Sequence, residues 1–369
     1  MAILDQHRAD MEALARRGRG RRLIPRAGVD FASNDYLGLA GLPVLADSVA
    51  AAIARGVPIG SGGSRLLRGN DPEHEALEAE AAQFFGCESA LFFSSGYAAN
   101  TTLLAALPRR GDLVVHDELI HASVHDGLRC GKAERVAATH NDVQAFADAI
   151  RGWREKGGKG RVWIAIESLY SMDGDIAPIA DLADLAARED AFLLIDEAHS
   201  TGVFGPDGRG LAAAWEGEEN VITLRTCGKA LGCEGALVCG PRVITDYLVN
   251  RGRGFIFSTA PSPLMAAAVR AALGLLRSEP ERRERLMALI DHAAGLGLPK
   301  TGSQILPIII GDDKRTMAIA AALQEAGLDV RGIRPPTVPM GTSRLRVSLT
   351  LNAGVENLNY LHNILKTLI

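Results

Sequence analysis

Several common classes of protein are excluded by what the chain lacks. Only five cysteines stand among 369 residues: Cys87, Cys130, Cys227, Cys233 and Cys239. They form no C-x-x-C pair and their number is odd, so a disulfide framework is not expected; free thiols in a reducing, cytoplasmic setting are. No apolar run reaches the ~18 residues of a membrane span. The best candidate, LMAAAVRAALGLL, is broken by Arg270. There is no basic excess either: 40 Lys and Arg face 44 Asp and Glu, for a net charge of -4. Nucleic acid is therefore not an expected partner. Internal repeats and low-complexity tracts are missing. The N-terminal stretch MAILDQHRADMEALARRGRGRR is basic and amphipathic, but Asp5, Asp10 and Glu12 argue against a transit peptide. A short surface helix is expected there.

What is present is an alternation of helix and strand patterns from about Leu42 to Phe257. DPEHEALEAEAAQFFG predicts a helix that starts at Asp71, carries Pro72 in its first turn and stops at Gly86. The runs SALFFSSG, DLVVHDE, RVWIAIES, AFLLIDEAHS and GALVCG are short and continuously apolar rather than alternating. Strands buried on both faces have this pattern. Helical segments such as DVQAFADAIRGW lie between them, which predicts an α/β domain with a mostly parallel sheet. Beyond the long helix pattern that follows STAPSP, the elements suit a smaller C-terminal α+β domain. The expected division is an N-terminal helix and segment over 1–40, a large domain over 41–260 and the small domain over 261–369.

In open α/β sheets, ligands bind beyond the carboxyl ends of the strands. LFFSSGYAAN ends a strand and opens a helix at Gly96 and Tyr97. That turn could hold a phosphate on its backbone N–H groups, or be a plain strand-to-helix turn. FLLIDEAHS ends a strand at Asp196, with Glu197 and His199 following. VITLRTCGKALG places Lys229 just beyond another apolar run. A P-loop lysine is excluded, because Thr223 stands where the motif needs glycine and Ala230 follows the lysine. A metal centre is not expected either: His116, Asp117, His121, His125 and Asp126 are crowded, but no H-E-x-x-H motif or further ligand accompanies them. The remaining reading joins the pieces. A lysine for a Schiff base, an aspartate for a pyridinium nitrogen and a histidine for a phenolic oxygen are the parts of a pyridoxal phosphate site.

Ten segments in order resemble the α-oxoamine synthases, pyridoxal phosphate enzymes of fold type I. They are SNDYLGLA, GSGGSRLLRGNDPEHEALE, FFSSGYAAN, HASVHDG, THND, ESLYSMDGDIAPI, DEAHSTGVFGPDGRG, TCGKALG, FIFSTAPSP and IRPPTVPMGTSRLRVSLT. The resemblance implies a cytoplasmic acyltransferase with the cofactor covalently on Lys229. It implies that Asp196 pairs with the ring nitrogen and His199 with the phenolic oxygen. Ser171 would reach the cofactor, and Thr226, Gly96 and Tyr97 would hold its phosphate. His121 would stack on the ring and act in catalysis. Asn34 and Arg346 would bind an amino-acid carboxylate, and Arg21 and Thr337 would contact substrate. The last of the ten segments looks most like the alanine-using members of biotin synthesis. They imply L-alanine and a pimeloyl thioester on CoA or acyl carrier protein as substrates, and a homodimer with shared active sites, GSGGSRLLRG contributing to the partner's site. Glycine-using synthases and serine palmitoyltransferase are the alternatives within the family. A non-catalytic partner subunit is the alternative outside catalysis, and there the lysine would be dispensable.

Overall fold

A computed structural model describes residues 3–369. Its strands, in chain order, are β1 (Val29–Asp30), β2 (Ser89–Phe93), β3 (Leu113–Asp117), β4 (Glu134–Ala138), β5 (Val162–Glu167), β6 (Phe192–Asp196), β7 (Val221–Thr226), β8 (Ala236–Gly240), β9 (Ile305–Gly311), β10 (Leu328–Asp329), β11 (Arg331–Ile333) and β12 (Ser343–Ser348). The residues fall into two compact units. The larger holds Asn34–Ser171 and Asp175–Leu286; the smaller holds the chain up to Ser33, Met172–Gly174 and Met287–Ile369.

The larger unit is built on a seven-stranded sheet in the order β2-β8-β7-β6-β5-β3-β4. Neighbours are parallel except around β8, which runs antiparallel to both β7 and β2. The mostly parallel sheet expected from the apolar runs is therefore found. Apart from the edge strand β4, which is exposed up to its last residue, its strands are mostly apolar because both faces are covered. Alternate residues of a strand point to opposite faces, so Leu193 and Ile195 of β6 join one buried cluster and Leu194 the other. The first cluster is closed by Phe146 and Ile150 of the helix Val143–Glu155 and by Leu182 and Leu185 of the helix Ile179–Arg188. The second is closed by Leu103 and Leu104 of the helix Gly96–Ala106 and by Val124 and Leu128 of the helix Ala122–Cys130.

The helix Pro72–Phe85 is set by its ends, as its sequence requires. The Asp71 carboxylate accepts the Glu73 N–H at 2.9 Å, and the Asp71 N–H donates to His74 Nδ1 at 3.2 Å. Gly86 ends the helix at φ 85°, a left-handed conformation that glycine adopts without a Cβ clash.

In the smaller unit β12 lies between β11 and β9 in an antiparallel sheet, and β1 pairs in parallel with β10. All of β12 is buried. The short stretch Met172–Gly174 belongs to this unit through Gly174, whose O accepts the Ser303 hydroxyl at 2.7 Å. A Cβ at Gly174 would stand 2.3 Å from Ile305 O, at a φ of +73°, so this approach requires glycine. The N-terminal helix Asp5–Arg16 buries none of its residues, matching the expected surface helix. No helix among the described residues is long and apolar enough to cross a membrane.

Candidate active site

The carboxyl ends of β3, β5, β6 and β7 bring acidic, hydroxyl and basic groups to one edge of the large sheet. β6 ends at Asp196, which is 4% exposed. Asp196 Oδ2 accepts from Asn100 Nδ2 at 2.7 Å, and Oδ1 from the Ala198 N–H at 2.9 Å. Asn100 also donates to Ser123 Oγ at 3.0 Å, and Ser123 lies 2.8 Å from His121 Nδ1. The Ser123 N–H points to the same ring nitrogen at 3.3 Å. A backbone N–H can only donate, so Nδ1 is the accepting nitrogen and the ring proton sits on Nε2. Burial holds His121 below its ordinary value, with the Lys229 ammonium acting in the same direction and the Asp196 carboxylate against it.

Lys229 follows β7 directly. Its Nζ is 2.6 Å from His199 Nε2, and His199 Nδ1 is 2.6 Å from the Tyr36 hydroxyl. Tyr36 in turn lies 3.0 Å from Asn34 Oδ1. A single polar chain thus runs Asn34, Tyr36, His199, Lys229. Thr226 is the last residue of β7, and a Cβ on Gly96 would meet its Oγ1 at 3.8 Å. Gly96 begins a helix whose cap is Ser95, its hydroxyl accepting the Ala98 N–H at 3.1 Å. The N–H groups of Gly96 and Tyr97 lie in the first turn of this helix, where the backbone offers them no intrahelical acceptor. Tyr97 is half exposed, and its hydroxyl binds Asp126.

The larger unit therefore contains Asn34, Gly96, Tyr97, His121, Ser171, Asp196, His199, Thr226 and Lys229. Arg21, Thr337 and Arg346 belong to the smaller unit. There Arg21 donates to the Thr337 hydroxyl at 3.2 Å, and Arg346, buried on β12, donates to Ser348 Oγ at 2.8 Å. No group of three or more histidine, cysteine or acidic side chains among the described residues could hold a metal. His116 and His125 meet edge to face at 5.1 Å, and His116 Nδ1 binds the Asp117 carbonyl.

Three features were not anticipated from the sequence. Tyr36 links Asn34 to His199. Glu167, at the end of β5, stands in register beside Asp196, so the two carboxyls share one face of the sheet. Its Oε2 accepts the Ser171 N–H at 3.2 Å, whereas its buried Oε1 has no partner. Burial first, and the Asp196 carboxylate second, push Glu167 up to about 8. A group raised in the folded state stabilises fully below its unfolded value of 4.5 and loses that contribution as pH rises through about 8. Glu167→Gln is therefore expected to be more stable relative to wild type at pH 9 than at pH 6. Denaturant midpoints at the two values check this, and an unchanged difference would refute it.

The third feature is Arg225. It ends the apolar part of its run in sequence, yet it is fully buried inside β7. Its guanidinium binds Glu216 and the Arg209 carbonyl, lies 3.4 Å from Glu197 and covers the Phe85 ring at 4.0 Å. Glu197 is likewise fully buried. At Gly210, φ +97°, a Cβ would fall 1.5 Å from Glu197 Oε2, so the acid fills the space a side chain would need.

The buried acid and imidazole and the half-buried amine beside a helix N-terminus suit a phosphorylated aromatic aldehyde, with a group for each of its polar atoms. A model of the aminotransferase class I and II family matches residues 26–363. The chain belongs to the aminotransferase class I and II family. Within this family it is similar to the 8-amino-7-oxononanoate synthase of Anaeromyxobacter dehalogenans. The two are 44% identical over 94% of this chain and 91% of the relative. Among solved structures, SPT with a PLP internal aldimine is 26% identical, with a TM-score of 0.88 over 99% of this chain and 97% of the other. The 8-amino-7-oxononanoate synthase of Francisella tularensis is 28% identical, with a TM-score of 0.77 over 92% and 97%. This member of the aminotransferase class I and II family thus has the pyridoxal phosphate-binding fold type I. Its mixed seven-stranded sheet and small antiparallel sheet agree with the expected fold class.

Proposed function

We propose that the chain is an 8-amino-7-oxononanoate synthase of biotin biosynthesis. It would join L-alanine to a pimeloyl thioester on CoA or acyl carrier protein, releasing carbon dioxide and the free thiol carrier. The observation that carries this reading is the buried pair Asp196 and His199 with Lys229 on His199 and His121 tied to Asp196 through Ser123 and Asn100, in a chain 44% identical to such a synthase over nearly its whole length. The likeness to SPT rests on 26% identity and supports the fold and the wider family rather than that substrate.

Pyridoxal phosphate, when bound, supplies an electron sink for a carbanion at the amino acid's Cα. Lys229 would hold it covalently, Asp196 at the ring nitrogen and His199 at the phenolic oxygen. Thr226 and the N–H groups of Gly96 and Tyr97 would hold the phosphate, and Ser171 would add a further contact. The Lys229 amine, beside the His199 imidazole, is the base proposed to take the Cα proton of alanine. His121 keeps its proton on Nε2 because Nδ1 accepts from Ser123. That N–H is the donor proposed for the thioester carbonyl oxygen as negative charge grows there. Asn34 and Arg346 are proposed to bind the alanine carboxylate, and Arg21 with Thr337 to contact the acyl substrate.

A homodimer in the cytoplasm completes the reading. The GSGGSRLLRG segment leaves Leu66 and Leu67 exposed, as a self-association surface would require. Sedimentation of the purified protein at twice the monomer mass is the expected result; a monomer would refute the dimer. The substrate test is a panel of alanine, glycine and serine against acyl thioesters of graded length, with carbon dioxide release measured. Release with alanine and the pimeloyl thioester alone is expected. A preference for glycine or serine would assign the chain to another α-oxoamine synthase.

A further inference from the structure

The THND segment has no part in the site as described, yet both ring nitrogens of its His140 face carboxylates. Its Nδ1 lies 2.9 Å from Asp117 Oδ1, and its Nε2 lies 2.7 Å from Asp175 Oδ2. A neutral imidazole carries one proton, so one of its nitrogens would direct a lone pair at a carboxylate oxygen. With both carboxyls ionised, only the doubly protonated ring satisfies both contacts; the Asn141 amide nitrogen, 3.3 Å from Nε2, has its nearer partner in Asp175 Oδ2 at 2.6 Å. The His140 N–H also donates to Glu118 Oε1 at 3.0 Å, and the Tyr170 ring meets the imidazole edge to face at 4.4 Å. Asn141 adds bonds to the same two acids. Its N–H donates to Asp117 Oδ2 at 2.9 Å and its side chain to Asp175 Oδ2 at 2.6 Å.

These acids anchor two different loops. Asp117 ends β3 and fixes the turn to His121 by accepting the Leu119 N–H at 2.8 Å. Asp175 closes the loop that follows β5 and contains Ser171; its O accepts the Tyr170 N–H at 3.0 Å. Without a cation between them, the buried Asp117 carboxylate and Asp175 would repel each other, and the two loops with them.

We infer that His140 is a permanently charged positioning residue, an imidazolium that ties the His121 loop to the Ser171 loop and holds both in working geometry. The inference rests on the roles proposed above for His121 and Ser171. The two carboxylates raise His140 to about 10 against the opposing effect of burial, so the ring stays charged throughout the neutral range. Its stabilising contribution is complete below the ordinary value of 6.5 and is lost as pH rises through about 10.

The direct test is nitrogen and proton NMR of the histidine-labelled, cofactor-loaded full chain. Both ring N–H protons of His140 should be present from pH 6 to 8. A single-proton tautomer, or titration near 6.5, overturns the inference, and this measurement needs no variant. His140→Gln keeps one donor and loses the charge. In that variant, amide exchange should rise at least tenfold over Leu119–His121 and Ser171–Asp175 but not in β6. Turnover should fall about 10- to 100-fold, as misplacement of catalytic groups by ~1 Å produces, with cofactor content per chain retained. Asp175→Asn added to His140→Gln should cost little more, because the two act through one contact. Unchanged loop exchange in His140→Gln, or full additivity with Asp175→Asn, overturns the inference. The NMR and exchange results do not depend on the reaction. If the wild-type chain fails to bind pyridoxal phosphate, the proposed function falls while the state of His140 is still decided.

Discussion

Lys229→Ala is expected to remove the visible absorption band of the cofactor-loaded protein and to lower turnover about 10³-fold or more. Two roles are lost together: the covalent attachment of the cofactor and the base for the Cα proton. Loss of general-base catalysis alone typically removes 10²–10⁴. The fold should survive, because Lys229 follows the strand rather than filling the core. Its contact with His199 is a surface of the site, and the sheet neighbours of β7 are fixed by backbone pairing with β6 and β8. A spectrum and a rate measured on the same preparation decide the matter. A variant that kept both the band and the turnover would refute the assignment of Lys229. A wild-type protein that takes up no pyridoxal phosphate would refute the cofactor itself.

Arg225→Met is expected to be the most damaging substitution to stability away from the site chemistry, at about 3–5 kcal/mol. The arginine is fully buried and stands between Glu197 and Glu216. Methionine fills much the same volume but leaves two acids without a cation, and the burial that already raises Glu197 would then act without the guanidinium against it. The triple variant Arg225→Met, Glu197→Gln, Glu216→Gln removes the uncompensated charge and should recover most of the loss. Denaturant unfolding of the three proteins tests this. A single variant as stable as wild type, or a triple variant no better than the single, would show that the cluster contributes packing rather than charge balance.

The contrast between Lys229 and Arg225 also marks what could be read in the sequence. Lys229, Asp196 and Gly96 stand at strand ends, and a strand end is visible as the point where an apolar run stops. The helix Pro72–Phe85 was legible for a similar reason, since Asp71, Pro72 and Gly86 act through neighbours in the chain. Arg225 also stops an apolar run, yet it is fully buried, and the acids that compensate it, Glu197 and Glu216, carry no mark in the sequence that ties them to it. Glu167 could not be assigned, because its meaning lies in standing one strand away from Asp196. That register depends on pairing between segments distant in sequence. Tyr36 was hidden likewise, since its partner His199 lies on a different element. Local signals survive in the sequence, whereas lateral contacts across the sheet do not.

The smaller unit is threaded from three separate stretches, and this bears on how the gene can be cut and recombined. Among the described residues β10, near the C-terminus, has its one strand partner in β1, near the N-terminus. The Ser348 N–H donates to Phe31 O at 2.9 Å, and Ser303 depends on the carbonyl of Gly174. A fragment beginning at Met287 would therefore keep β9, β11 and β12 but lose the partners of β10, Ser348 and Ser303. It should not accumulate as an independent folded module. Chimaeras with relatives face the same constraint. A single crossover at residue 286 would combine a C-terminal piece from one parent with the β1 strand and Met172–Gly174 loop of the other. Exchange that preserves this unit must move all three stretches together, so inheritance by simple tail-swapping is closed to it.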